Sequence, residues 1–302
     1  MLDQKFIELL SENDAELFFD EPMSKRTTFR IGGNADCVCE VHTLTALRSI
    51  MKLCNEYDVP YYVLGLGSNL LVSDQGVRGL MIRLTGEFND ITLKNDNIVC
   101  CKAGATLAGL CVFARDRSLS GVEFAWGIPG SVGGAVYMNA GAYGGEMKDV
   151  VISVNCVDKN GCIRTYTGEE LDFSYRHSAF SDTDSVITDV SFQLKKGDAA
   201  VIADRMQELM NRRKQKQPIN HPSAGSVFKR PSGYYAAALI DECGLKGYTV
   251  GGANVSEKHA GFIVNDHNAS AEDVKELIKY IQKVVKEKKG VQLTCEIRMI
   301  GE

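Results

Sequence analysis

The feature that most restricts this chain is a run of small residues, GIPGSVGGAVYMNAGAYGGEM at 127 to 147, where glycines recur among Ser131, Asn139 and alanines. Side chains that small leave the backbone uncovered, and uncovered N–H groups either pack tightly on another segment or face a ligand. Ile128 and Pro129 add a stiff apolar wall. The amides from Gly130 to Gly134, including those of Ser131, Gly133 and Gly134, form with the Asn139 side chain a set of donors suited to a pyrophosphate. A second glycine turn, GLGSNLLV at 65 to 72, follows an apolar run and supplies Gly65 and Gly67 for a tight bend that aims amides outward. It is not the dinucleotide fingerprint of a parallel βαβ unit, since Leu70 occupies the third glycine position, and no Walker-type phosphate loop occurs. Two such loops separated by one short α/β segment point to a dinucleotide. The alternative is a cluster of packed turns with no ligand.

Apolar spacing predicts helices over 4–16, 44–57, 107–117, 198–216, 235–243 and 271–288, the fifth and sixth in a smaller terminal part. SKRTTFRIGGNADCVCEV reads as strand and turn, VPYYVLGLGSNLLVSDQGVRGLMIRL as two β-rich runs around a loop, and further strand-like runs lie at 91–93, 98–102, VVISVNCVD, CIRTYT and SVITDVSFQL, with a closing strand VQLTCEIRMI at 291–300. Helices and strands in this order predict an α+β fold rather than a strict βαβ array. The change of style at KKGDA sets an expected boundary: region 1–195, an N-terminal helix followed by two α+β subdomains, and a smaller α/β domain at 196–302.

A formal charge of -5 with a pI near 5.7 excludes broad affinity for nucleic acid or anionic membranes, so an anionic ligand must be met by a few placed side chains. The N-terminal segment carries acids among its apolar residues and lacks a cleavable signal pattern, and no stretch reaches the roughly 18 to 20 apolar residues that span a bilayer. A cytoplasmic protein, monomer or weak oligomer, is expected. Ten cysteines scattered from Cys37 to Cys295 without a CxxC pair read as buried, reduced thiols. His42, His177, His221, His259 and His267 show no metal-ligand spacing, so no metal is expected.

TTFRIGGNADCV, VLGLGSNLLVSDQGVRGLMIRL and WGIPGSVGGAVYMNAGAYGGEM together resemble the FAD-binding domain of the UDP-N-acetylenolpyruvoylglucosamine reductases, which has the vanillyl-alcohol-oxidase (PCMH) type of flavoprotein fold. The likeness continues, in family order, through FSYRHSAF, PSAGSVFKRP, CGLKGYTVGGANVSEKHAGFIVN and CEIRMIG. It implies a FAD-binding region at 1–195 and a substrate-binding domain at 196–302. It also implies noncovalent FAD held by Gly65, Gly67, Ser68, Asn69, Gly130, Ser131, Gly133, Gly134, Asn139 and Gly141, with NADPH as co-substrate and UDP-N-acetylenolpyruvoylglucosamine as the acceptor in peptidoglycan precursor synthesis. The short interval between Arg176 and Lys216 matches the family variant that lacks a substrate-covering tyrosine loop.

Reducing an enolpyruvyl ether adds hydride to a carbon–carbon double bond, and the developing charge spreads only into the neighbouring carboxylate. A fixed cation beside that carboxylate lowers the barrier, and loss of one preorganised donor in such a site costs about 3 to 4 kcal/mol. Arg176 in SYRHS is the candidate, because guanidinium is always charged and forks onto a carboxylate; otherwise it is a surface arginine. The resemblance assigns the proton donor to Ser226 and a third catalytic role to Glu296. Arg298 two residues on leaves a structural ion pair as the alternative for the glutamate. Lys216 is the best partner for the UDP phosphates, with Arg212 and Arg213 nearby; Tyr175 and Arg230 complete the substrate set, Arg230 standing where the better-known family form has asparagine. Two rival functions fit the same motifs: an oxidase of this fold that hands electrons to oxygen, and a UDP-sugar-binding protein without catalysis.

Overall fold

The computed structural model describes residues 2–301. The chain divides into two compact units: the first comprises Met1–Phe19, Cys37–Gly65 and Gly79–Arg212, the second Asp20–Asp36, Leu66–Arg78 and Arg213–Glu302. The grouping follows contacts rather than chain order, so two N-terminal segments belong with the C-terminal part. The sequence style change near 195 has no counterpart in it, since most of the following helix lies in the first unit.

In the first unit, helices α1 (Gln4–Ser11), α2 (Leu44–Glu56), α3 (Leu107–Arg115) and α4 (Val132–Tyr137) each begin at a side chain that accepts backbone N–H groups. The caps are Asp3, Thr43, Thr106 and Ser131. Helix α5 (Ala199–Lys216) follows. The expected first helix ends earlier than 16, because Ala15–Pro22 is a strand: Phe6 and Leu10 are already buried at the helix, and the next residues pair in a sheet instead. A five-stranded antiparallel sheet runs in the order Ile163–Thr167, Val151–Val157, Val186–Gln193, Ile98–Lys102, Ile91–Asn95. A four-stranded sheet has the order Ala15–Pro22, Asn34–Val41, Val77–Leu84, Tyr61–Val63, its last pair parallel. Alternate residues Cys37, Cys39 and Val41 point into one core with Leu47, Ile50 and Met51 of α2.

The second unit holds a four-stranded antiparallel sheet in the order Ser223–Ser226, Phe262–Asn265, Ala253–Val255, Thr249–Val250. Helices α6 (Ala236–Glu242) and α7 (Ala271–Lys289) bury Leu239, Ile240, Val274, Leu277, Ile281 and Val285 in its core. Of the expected closing strand only Arg298–Ile300 is extended, parallel to Leu70–Val72. The start of α7 is satisfied twice: Ser270 and Asp273 form a reciprocal capping box, and the Asp74 carboxylate accepts from Ala271 N at 2.8 Å and Glu272 N at 3.1 Å. The helix closes on Gly290 at φ +70°, where a side chain would be strained.

All ten cysteines are free, and seven are buried; Cys100 and Cys295 are half-buried, and Cys162 is exposed, a departure from the expected uniform burial caused by its place in a surface turn. Burial pushes the Cys54 thiol up to about 12, so it stays protonated at neutral pH. No helix among the described residues is long and apolar enough to cross a membrane, and no group of three or more His, Cys, Asp or Glu side chains there is placed to hold a metal ion.

Replacing Asp74 by Ala removes two charge-assisted acceptors from the first turn of α7 while Ser270 remains. The expected loss is about 1 kcal/mol, seen as a lower urea midpoint with an unchanged slope; an unaltered midpoint would show that the serine cap alone suffices.

Candidate active site

The small-residue stretch is not all loop. Ser131 starts α4 by accepting Gly134 N at 3.2 Å, and the flanking backbone is stitched to a neighbouring segment: Leu107 N donates to Gly130 O at 2.9 Å, Val132 N to Ala105 O at 2.8 Å and Gly133 N to Ala103 O at 2.8 Å. Such an approach tolerates no side chain, since a Cβ on Gly133 would lie 2.9 Å from Ala103 Cβ. The donors expected to cradle an anion therefore narrow. Gly133 and Gly134 spend their N–H groups internally and contribute by being small, whereas Gly130 N and Ser131 N take no partner among the described residues. Gly65 lies against the same cap, with a virtual Cβ 2.6 Å from Ser131 Oγ.

In the second unit, Gly67 sits at φ +61° with its virtual Cβ 2.3 Å from Arg26 O, so only glycine fits. Its carbonyl accepts Thr28 N at 3.2 Å, and the amides of Leu66, Gly67 and Ser68 have no partner among the described residues. Both loops thus offer bare backbone donors, and close-packed glycines where a Cβ would intrude. Bare donors of this kind suit an anion.

Asn139 departs from expectation. It is fully buried at φ +40°, its Nδ2 donates to Glu146 Oε2 at 2.7 Å and to Ser174 O at 2.8 Å, and its Oδ1 accepts Lys148 N at 3.0 Å. Both amide hydrogens are used inside the protein, so the side chain ties segments together. One tied segment is the hairpin Gly141–Ala142 with Gly145–Glu146, turned by Tyr143 and Gly144, both at positive φ. The other carries Arg176. Ser174 and His177 exchange two backbone bonds of 3.2 Å, leaving Tyr175 and Arg176 at the tip of a tight turn. Arg176 is held at φ +56°, a conformation that costs a non-glycine residue about 1 kcal/mol. Its Nη2 donates to Gly141 O at 3.3 Å, and its guanidinium lies 5.2 Å from the Tyr175 ring centroid. Tyr175 is half exposed, and His177 Nε2 lies 3.3 Å from Asp172 Oδ2.

Three distant stretches of the second unit meet through their backbones. Glu296 N donates to Val227 O at 2.7 Å, Phe228 bridges Cys295, Asn69 Nδ2 donates to Glu296 O at 3.3 Å and Arg298 N to Asn69 O at 2.9 Å. Asn69, Ser226 and Glu296 are thereby neighbours along one framework. Ser226 ends its strand beyond a register shift at which Gly225 takes φ +79°, and its Oγ donates weakly to Phe228 O at 3.3 Å. Glu296 is half-buried outside any strand, so the shared-face argument with Arg298 does not apply. Lys216, at the end of α5, is exposed and makes no ion pair among the described residues, whereas Arg212 is paired with Glu208 and Arg213 is buried, donating to Gln217 Oε1 at 2.9 Å. The Arg230 guanidinium stacks 4.0 Å from the centroid of Tyr235, an exposed aromatic that sequence reasoning missed although it lies five residues away. A cavity of about 480 Å³ in the first unit, between Phe124, Tyr143, Gly145 and the α5 residues Val201, Ile202 and Arg205, is lined by none of the expected cofactor or catalytic residues.

Replacing Gly65 by Ala forces Ser131 Oγ away from its cap on Gly134. The expected result is a thermal midpoint lowered by the equivalent of about 1 kcal/mol, and Ser131→Ala should lose no further stability in that background.

Residues 35–167 match the FAD binding domain family, and residues 217–300 match the family described as UDP-N-acetylenolpyruvoylglucosamine reductase, C-terminal domain. UDP-N-acetylenolpyruvoylglucosamine reductases of Caldanaerobacter subterraneus subsp. tengcongensis and Clostridium perfringens are similar at 45% identity (100% of this chain, 99% of that protein) and 46% identity (98% of each). The crystal structure of the Thermus caldophilus UDP-N-acetylenolpyruvylglucosamine reductase aligns with TM-score 0.81 and 39% identity, over 95% of this chain and 99% of that one. A glucooligosaccharide oxidase from Acremonium strictum, 13% identical, aligns with TM-score 0.50 over 96% of this chain and 59% of that one; this likeness concerns the fold alone.

Proposed function

From the membership of this chain in the UDP-N-acetylenolpyruvoylglucosamine reductase family, we infer that it is the FAD-dependent oxidoreductase that reduces UDP-N-acetylenolpyruvoylglucosamine to UDP-N-acetylmuramate for peptidoglycan, with NADPH as donor. The observation that carries the reading is the full-length likeness to reductases of this family. FAD is held without a covalent bond by Gly65, Gly67, Ser68, Asn69, Gly130, Ser131, Gly133, Gly134 and Gly141, through amides in the two loops and through the space left by missing side chains. Asn139 acts behind them. Both co-substrates are multiply charged nucleotides that do not cross a bilayer unaided, which supports a cytoplasmic location.

The chemistry that FAD supplies when bound is hydride transfer, from NADPH to the enolpyruvyl methylene carbon. This chain's own residues deal with the charge and the proton that follow. Negative charge accumulating on the adjacent carbon and its carboxylate is met by the Arg176 guanidinium, whose turn is fixed before substrate arrives, so little reorganisation opposes the reaction. Ser226 Oγ delivers the proton to that carbon; its long bond to Phe228 O leaves the hydroxyl easily redirected. Glu296, whose backbone is anchored to Val227 and Asn69, takes the third catalytic part, steadying the enolic form. Lys216 meets the diphosphate as an uncommitted ammonium, and Arg230, stiffened by stacking on Tyr235, together with Tyr175, borders the rest of the nucleotide-sugar.

The direct test is the absorption spectrum of the purified protein during titration. A flavin band bleached by NADPH and restored by UDP-N-acetylenolpyruvoylglucosamine under anaerobic conditions is the expected result; recovery with oxygen and a free sugar, but not with the enolpyruvyl compound, would overturn it in favour of an oxidase. In Ser226→Ala, bleaching by NADPH should stay within about twofold of the parent, while recovery with substrate slows by about 10² to 10⁴. Equal slowing of both half-reactions would remove the serine from the proton-transfer step.

A further inference from the structure

Resting on that reading, we propose that Asn139 is the positioning residue for the Arg176 guanidinium rather than a ligand of the cofactor. Its side chain lies between the two backbone segments that determine where the arginine sits. On one side, Nδ2 donates to Ser174 O at 2.8 Å, and Ser174 closes the turn whose tip is Tyr175 and Arg176. On the other, Nδ2 donates to Glu146 Oε2 at 2.7 Å; Glu146 is paired across the hairpin with Gly141, whose carbonyl accepts the Arg176 Nη2. The amide oxygen completes the arrangement by accepting Lys148 N at 3.0 Å, just beyond that hairpin. One planar amide therefore fixes the root of the arginine and the carbonyl its tip rests on.

The choice of residue follows from this arrangement. The position needs two donors and one acceptor in a plane, on a backbone at φ +40° that asparagine tolerates better than any other non-glycine side chain. Aspartate has the same shape but no hydrogens to give, and would face the Glu146 carboxylate. Glycine accepts the backbone and lacks the amide. Asn139 itself is fully buried, and without its amide Ser174 O keeps only the bond from His177 N among the described residues.

Asn139→Gly separates the amide from the backbone strain and is the variant least prone to misfold. Three readouts apply: amide hydrogen exchange of the FAD-free protein, FAD affinity from flavin fluorescence, and the two half-reactions. Exchange at Ser174 and His177 should rise by at least about tenfold with α3 unchanged, FAD affinity should stay within about threefold, and substrate-driven reoxidation should slow by about 10², the effect expected when a catalytic group is displaced by about 1 Å. Reduction by NADPH should hardly change. Combining Asn139→Gly with Arg176→Ala should be no slower than Arg176→Ala alone. Asn139→Asp, as a second variant, should reoxidise faster as the pH is lowered and the new carboxyl regains a proton to donate.

Loss of FAD affinity with normal reoxidation at saturating FAD would make Asn139 a cofactor ligand and overturn the inference, as would multiplicative losses in the double variant. If Arg176→Ala reoxidises at the parent rate, the reading of the arginine fails and this one with it. If Arg176→Ala is slow while Asn139→Gly is normal, only the role of Asn139 falls.

Discussion

Close backbone packing at Gly133 is the constraint on which the first unit's site depends. The α4 start can be stitched to the Ala103–Ala105 segment only because nothing projects from Gly133, and once stitched it presents Gly130 N and Ser131 N unspent. Glycine inside a helix costs about 0.5 to 1 kcal/mol relative to alanine. The cost is offset by two hydrogen bonds of 2.8 Å between segments, each of which satisfies the carbonyl of a buried alanine. Ser131 links this packing to the neighbouring glycine turn, since its hydroxyl caps α4 in the space that Gly65 leaves open.

A division of labour follows between amides that hold the protein and amides left for a ligand. Among the residues expected from sequence to bind the cofactor, the structure separates those that offer a donor, Gly130 and Ser131, from those that provide room, Gly133 and Gly134. Asn139 belongs to neither group: both amide hydrogens and the amide oxygen have partners within the fold. The three kinds look alike in a string of small residues, because sequence reports the size of a side chain and not the direction of its backbone N–H.

The same limit explains which elements were legible. Helices with a clear apolar stripe, such as α2 and α7, appear within a residue or two of their expected bounds, since burying Leu47, Ile50 and Met51, or Val274, Leu277 and Ile281, needs no partner information beyond periodicity. The first helix stops short of the expected 16 because Ala15–Pro22 pairs instead beside Asn34–Val41, a partner that helical spacing does not reveal. Helix α4 was hidden by its glycines. The segment before Arg298 looked like a strand from composition, yet its backbone bonds go to Val227 and Lys229 across an irregular bridge, so Glu296 sits in a bent segment and not on a flat sheet face. Periodicity marks none of Arg176, Ser226 and Glu296, which stand out only through family likeness.

The bent segment has a chemical advantage over a regular strand. In a sheet, the side chain at each position is committed to one face by the pleat, and a register change alters every residue at once. Here Glu296 is located by bonds from its own N–H and carbonyl to Val227 and Asn69, and the residues that follow Ser226 are located by Phe228 and Lys229 pairing with Cys295 and Thr294. None of these anchors except the Asn69 amide involves a side chain. The main chain thus sets where Ser226 and Glu296 sit, and the serine hydroxyl adds only its weak bond to Phe228 O.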